Sequence, residues 1–162
     1  MIKLFHGSNM AIDVIDLTKG RRGKDFGQGF YLSADKNQAM QMAQTTVERN
    51  GGGVPTVTTF LLDETQLNAP TLRICRFEDY SAEWALFVVK NRTNRTEIQV
   101  HDYDIVYGPI ADDRVGPQIR RFQNKWISAD VLMEELKNVR PTFQYFFGTE
   151  KAIALLKKAL II

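Results

Sequence analysis

Two short stretches of this chain carry side chains that could hold a flat, polar ligand. The first, Leu4-Phe5-His6-Gly7-Ser8, ends an apolar run in an imidazole, a glycine and a hydroxyl. The second, Phe26-Gly27-Gln28-Gly29-Phe30-Tyr31-Leu32-Ser33-Ala34-Asp35, is a glycine-loosened turn that enters a brief aromatic strand and leaves through a helix cap. A neutral imidazole offers one donor and one acceptor, which suits a hydroxyl. Gly27 and Gly29 allow positive φ and close approach of a ligand to the backbone. Tyr31, mid-strand beside them, is placed to stack on a flat ring. Between the two stretches lies Lys19-Gly20-Arg21-Arg22-Gly23-Lys24-Asp25, which reads as an exposed basic loop. Its Arg21, Arg22 and Lys24 are candidates for contact with a phosphate. Residue types and spacing alone lead to an anion-binding, ring-stacking cleft and no further.

Several chemistries are excluded. The chain has no Gly-x-x-x-x-Gly-Lys-Ser/Thr loop and no His-Glu-x-x-His pair, and Gly27-Gln28-Gly29 lacks the third glycine of a dinucleotide fingerprint. The presence of only two histidines, His6 and His101, argues against a histidine-rich metal site. Ser8 stands too near His6 in sequence to argue for a nucleophile and its base. Cys75 is the sole cysteine, so no internal disulfide forms and a cysteine metal site is excluded; a reducing, cytoplasmic setting is expected. A net charge of +2 makes no case for nucleic acid. No apolar run reaches the length of a membrane span, and the N-terminal residues turn polar too soon for a secretory signal. At 162 residues, 44% hydrophobic and 25% charged, residues 1–162 are expected to form one domain with its own core.

The elements that must position these residues alternate irregularly. Residues 2–5 predict a strand, and Ile12, Val14, Ile15 and Leu17 a short helix or an irregular strand. Asp35 is an N-cap with Gln38 as the second member of a capping box. It opens a helix to Asn50 with Ala39, Met42, Ala43, Thr46 and Val47 inward, stopped by Gly51-Gly52-Gly53. Strands are expected over 54–62, 71–77, 98–100, 104–110 and 143–147. Ser81 and Ser128 cap helices to about Asn91 and Asn138, and Thr149 caps a terminal helix with Ile153, Leu155, Leu156 and Leu160 apolar. Asp112-Asp113-Arg114 reads as a polar loop and His101 as a surface residue. Without a regular βαβ alternation, the fold class is α+β.

Taken together and in order, these stretches resemble the ADP-ribosyltransferase superfamily, closest to its diphtheria-toxin-like class with a His-Tyr-Glu signature. Poly-ADP-ribose polymerase catalytic domains in that class carry a strand ending in His-Gly-Ser and a second of the form Gly-x-Gly-Ile-Tyr-Phe-Ala-Asp. Their third motif is a strand opening Glu-Tyr-Ile-Val, matched here by Gln144-Tyr145-Phe146-Phe147. The chain is also similar to a bacterial family of small proteins assigned to that superfamily.

The resemblance implies mixed, mostly antiparallel split sheets flanked by helices, with a cleft for NAD as substrate. It implies that His6 bonds a ribose hydroxyl, that Gly7 offers its backbone to the nicotinamide amide, and that Ser8 supports the same loop. Tyr31 would stack on nicotinamide, with Gly29 and Ser33 on the same strand segment. The implied activity is cleavage of the nicotinamide–ribose bond and transfer of a single ADP-ribose to a protein or nucleic-acid acceptor. The setting, by analogy, is a bacterial toxin or defence factor with a neutralising partner protein, with no membrane involved. Two departures stand out. Gln144 replaces the glutamate, and an amide carries no charge and takes no proton; Glu150 is the nearest downstream carboxylate. Met42 stands where a second aromatic would complete the nicotinamide sandwich. These leave an NAD glycohydrolase, or a non-catalytic NAD- or ADP-ribose-binding module, as alternatives to the transferase.

Overall fold

The computed structural model describes residues 1–159. The chain is α+β, built on two mostly antiparallel sheets flanked by helices. The first sheet joins β1 (Ile2–Ser8), β3 (Thr56–Leu62) and β7 (Lys157–Lys158) in the order β1-β3-β7. The second has the order β2-β6-β5-β4, from β2 (Phe30–Leu32), β6 (Phe143–Phe147), β5 (Ile105–Pro109) and β4 (Ile74–Arg76). Only the β4–β5 pair in it is parallel.

Strand alternation divides the interior. Leu4, Phe60 and Leu62 of the first sheet pack on Phe30, Leu32, Ile105 and Phe147 of the second. The other face of the second sheet, through Val106 and Phe146, meets Phe26 and the helices α2 (Ala82–Thr93), α3 (Gly116–Gln123) and α4 (Ala129–Leu136). Phe146 and Phe147 are thus adjacent in sequence, fully buried, and in different cores. Trp84 anchors α2 by donating its indole N–H to the Pro109 carbonyl at 2.9 Å.

Local chemistry sets the helix starts. Ser81 accepts from the Trp84 amide, Ser128 from Val131 and Thr149 from Ala152. The helix α1 (Lys36–Asn50) starts at Asp35, which accepts from Asn37, and ends at Gly51 in the left-handed region, φ 70°. It lies against β1 so closely that a Cβ on Gly7 would stand 1.8 Å from the Ala39 carbonyl oxygen.

Several expectations are corrected. Gln38 does not close a capping box; its side-chain oxygen accepts from the Ser33 hydroxyl, which in turn accepts from the Asp35 amide. Met42 is 46% exposed, not inward, because Ala39, Ala43 and Thr46 already fill the face of α1 toward β1. Residues 98–100 form no strand, and Ile98 and Val100 are exposed. Residues 12–19 are irregular apart from a short 3-10 turn, Leu17–Lys19. The terminal helix α5 (Glu150–Ile153) stops after one turn, and the chain returns as β7 to pair with β3. Leu160 lies outside the described residues. Helix α3 was not foreseen. Among the described residues no helix is long and apolar enough to cross a membrane.

Gly29 is required by packing. A Cβ there would meet the Phe146 ring at 2.3 Å and the Phe147 carbonyl oxygen at 2.8 Å, and its φ is not positive. Gly29→Ala is expected to destabilise the fold by about 1–3 kcal/mol through overpacking. Urea unfolding should show a lowered midpoint with an unchanged slope; an unchanged midpoint would refute the contact.

Candidate functional site

The site begins where the two sheets touch. Phe5 and Ser33 exchange both backbone hydrogen bonds, at 2.7 and 2.9 Å, in a single antiparallel bridge between β1 and the end of β2. The next rung of such a ladder would join Gly7 to Tyr31, two residues along on each strand. It does not form: His6 Nδ1 takes the Tyr31 carbonyl at 2.7 Å instead. The strands part there. Alternation turns the Gly7 N–H and C=O to the parted edge, toward the start of β2.

A carbonyl only accepts, so Nδ1 of His6 carries the proton and Nε2 presents a lone pair. Burial pushes the His6 pKa down to about 4; the Tyr31 carbonyl opposes this and the Lys24 charge adds to it. At neutral pH the ring is therefore uncharged, with one acceptor to offer. It lies on Phe30, centroids 4.2 Å apart.

Tyr31 is held on three sides. Its hydroxyl donates to the Gly27 carbonyl at 2.6 Å and accepts from the Phe26 amide at 3.0 Å, while Phe146 meets the ring edge-on at 5.3 Å. Gly27 carries this turn at φ 98°. Burial, then the Asp25 carboxylate, hold the Tyr31 pKa well above its ordinary value, so the phenol stays protonated. The Lys24 ammonium lies 4.0 Å over the ring centroid. Burial pushes its pKa down to about 8; Asp25 opposes this, while Arg21 and Arg49 lower it further.

The loop before β2 is exposed at Lys19, Arg21 and Arg22, as its composition suggests, but turns inward at Lys24 and Asp25. Asp25 is 8% exposed. Its carboxylate accepts from Arg92 Nε at 2.7 Å, the Ala111 amide at 2.9 Å and Gln144 Nε2 at 3.3 Å. Gln144 shares a face of β6 with Phe146, which is paired with Tyr31, so Gln144 and Tyr31 are diagonal neighbours on one face of the second sheet. His6, Gly7, Tyr31, Lys24, Asp25 and Gln144 therefore gather around the junction.

The chain belongs to the DUF3990 family. The profile of that family, described as a protein of unknown function, matches residues 2–158. No curated protein and no solved structure matches the chain.

Other residues of this DUF3990 chain singled out from sequence fall differently. Arg22 is drawn away to Glu97 at 3.3 Å, and Arg49 at the end of α1 stands near Arg21 and Lys24 in its stead. Ser8 donates to Asn9 at 3.3 Å. Ser33 is buried as the bridge residue, and it also lines a groove of about 440 Å³ with Gln38, Tyr107, Phe143 and Tyr145. His6, Tyr31 and Gln144 do not line that groove. Met42 is exposed on α1. Glu150 sits exposed in the first turn of α5. Asp112 and Arg114 pair with each other, and Arg114 also donates to the Arg140 carbonyl and the Thr142 hydroxyl. His101 is no surface residue: Nε2 meets the Phe26 carbonyl at 2.7 Å, and burial lowers its pKa. Sequence reasoning missed Asp25, Arg92 and Arg49. Only Asp25 had a signal, an acid closing a run of cations.

The imidazole makes stability depend on pH. Between its unfolded pKa near 6.5 and its folded value of about 4, the unfolded chain binds the proton and the native chain does not. Stability from this source is complete above pH 6.5 and is lost as pH falls toward 4, by roughly 3 kcal/mol at most. His101, also lowered, acts in the same direction. Urea midpoints between pH 7 and 4.5 should fall less in His6→Gln than in the unaltered protein. Parallel curves would show that His6 is not held neutral.

Proposed function

We propose that the junction is an NAD cleft and that the protein is a mono-ADP-ribosyltransferase with the superfamily's fold. The observation that carries this reading is the broken ladder. It leaves the acceptor nitrogen of His6 and the unpaired peptide edge of Gly7 beside the Tyr31 backbone, and Lys24, whose charge bears on His6, lies over the Tyr31 ring. A ribose hydroxyl donates to His6 Nε2. A carboxamide, with one donor side and one acceptor side, matches the Gly7 C=O and N–H. Arg21, Arg49 and Lys24 supply positive charge for a pyrophosphate.

The bond that breaks joins the ribose C1′ to the nicotinamide nitrogen, whose electron pair leaves with the ring. Positive charge gathers on the sugar, and an acceptor O–H or N–H attacks C1′ and releases its proton. Gln144 sits where the superfamily has its glutamate. Its amide oxygen offers the negative end of a dipole to that charge but takes no proton. This favours a single transfer over chain elongation.

The purified protein is incubated with NAD labelled on the adenine side, with and without cell lysate, and free nicotinamide and macromolecule-bound label are measured. Transfer to lysate is expected, falling on the order of 10²-fold in His6→Ala and Tyr31→Ala. Nicotinamide release without transfer would make the protein a glycohydrolase. Saturable binding without release would make it a binding module, and no binding would overturn the reading.

Lys24 now occupies the face of Tyr31 on which a pyridinium would lie. Its side chain, not the clamped backbone, must move for that ring to enter. Lys24→Ala is therefore expected to bind free nicotinamide more tightly and ADP-ribose more weakly. Calorimetric titration would show it; equal changes for both ligands would refute the displacement.

A further inference from the structure

We infer that Asp25 is the positioning residue of this site, holding the Gln144 amide by its NH2 group so that Oε1 is the atom offered to the ribose. The inference rests on the NAD reading and adds to it the source of the carboxylate that β6 lacks. A carboxylate oxygen accepts, so the group of Gln144 that faces Asp25 Oδ2 at 3.3 Å is its NH2, and Oε1 points elsewhere. Gln144 is only 9% exposed, yet Oε1 is not among the buried polar atoms left without a partner. Asp25 is itself fixed from two other elements, by Arg92 Nε of α2 and by the Ala111 amide after β5. Arg92 in turn donates to the Ala111 carbonyl at 2.7 Å, which closes the clamp. The Gln144 amide is therefore tethered to a carboxylate that cannot follow it. Charged and titratable groups facing the pair are Arg92 on α2, Lys24 on the same loop and Tyr31 on β2.

This arrangement inverts the simple expectation for a glutamate at 144. A second carboxylate would stand against Asp25, and like charges that close share a proton. Gln144→Glu, Asp25→Asn and the exchange Asp25→Asn/Gln144→Glu are compared with the unaltered protein. Single-turnover nicotinamide release is followed between pH 5 and 7.5, with NAD affinity from fluorescence quenching on the same samples. Asp25→Asn is expected to lower release at saturating NAD by on the order of 10²-fold with little change in affinity. Gln144→Glu should be nearest the unaltered protein at pH 5, where the carboxyl pair keeps its proton, and fall behind as pH rises. The exchange restores one amide facing one carboxylate and should recover release without that pH dependence. Should Asp25→Asn fail to fold, shown by a lost circular dichroism signal, the pH dependence of Gln144→Glu, which keeps Asp25, carries the test. Faster release by Gln144→Glu at every pH would overturn the role of Asp25 and leave the NAD reading standing. No NAD binding or release by the unaltered protein would overturn that reading, and this role with it.

Discussion

One hydrogen bond, from His6 Nδ1 to the Tyr31 carbonyl, marks the point where the two sheets part. Past Phe5 and Ser33 the ladder between β1 and β2 stops, and the Tyr31 carbonyl that a further rung would use is bonded by the His6 ring. A side chain takes the place of a backbone rung. The imidazole is held neutral in one tautomer, its ring lies on Phe30, and the strands part at Gly7. The substitution is affordable because the displaced groups belong to a glycine, which α1 can approach with no Cβ between. The close approach of α1 and the parting of the strands thus fall at adjacent residues, Gly7 and His6.

Asp25 does for the other face of the second sheet what His6 does for the junction. It ties the loop before β2 to α2, to the turn after β5 and to β6, through one ion pair and two further hydrogen bonds. The Arg92–Asp25 pair is largely shielded, and breaking such a pair from one side typically costs about 3–5 kcal/mol. The end of a basic, glycine-bearing segment is thereby fixed beside Tyr31, whose hydroxyl completes the fastening at Phe26 and Gly27.

What was legible in the sequence was local. Ser81, Ser128, Thr149 and Asp35 cap helices because a side-chain oxygen two or three residues before an open amide needs no distant partner. The β-branched run before Leu62 and the aromatic run at 143–147 became strands on alternation alone. The illegible parts depend on partners far along the chain. Residues 98–100 have strand-like composition, but Gln99 donates to the Gln28 carbonyl and the Ile98 carbonyl accepts from Asn94. The last helix yields to β7 because β3 has a free edge for Lys157 and Lys158. Of the candidate site, the order His6, Gly7, Tyr31, Gln144 was readable as motif. Arg92 and Asp25, 67 residues apart, were not readable as a pair, nor was the diversion of Arg22 to Glu97.

Lys24 shows how the two fastenings bear on each other. The acid that favours its proton, Asp25, is committed to Arg92, Ala111 and Gln144, while Arg21 and Arg49 press the charge from the other side. The ammonium rests on the Tyr31 ring, an interaction worth about 0.5–2 kcal/mol, and lacks a full counter-ion there. A cation so placed is held at a cost in stability, which an incoming anion would remove by drawing it off the ring. The face it would vacate belongs to the one aromatic ring that is fixed by both Asp25's loop and β6. Around Tyr31 the backbone is fastened at Gly27 and Phe26 while Lys24 is a long side chain, so under the proposed NAD reading it is Lys24 that would move.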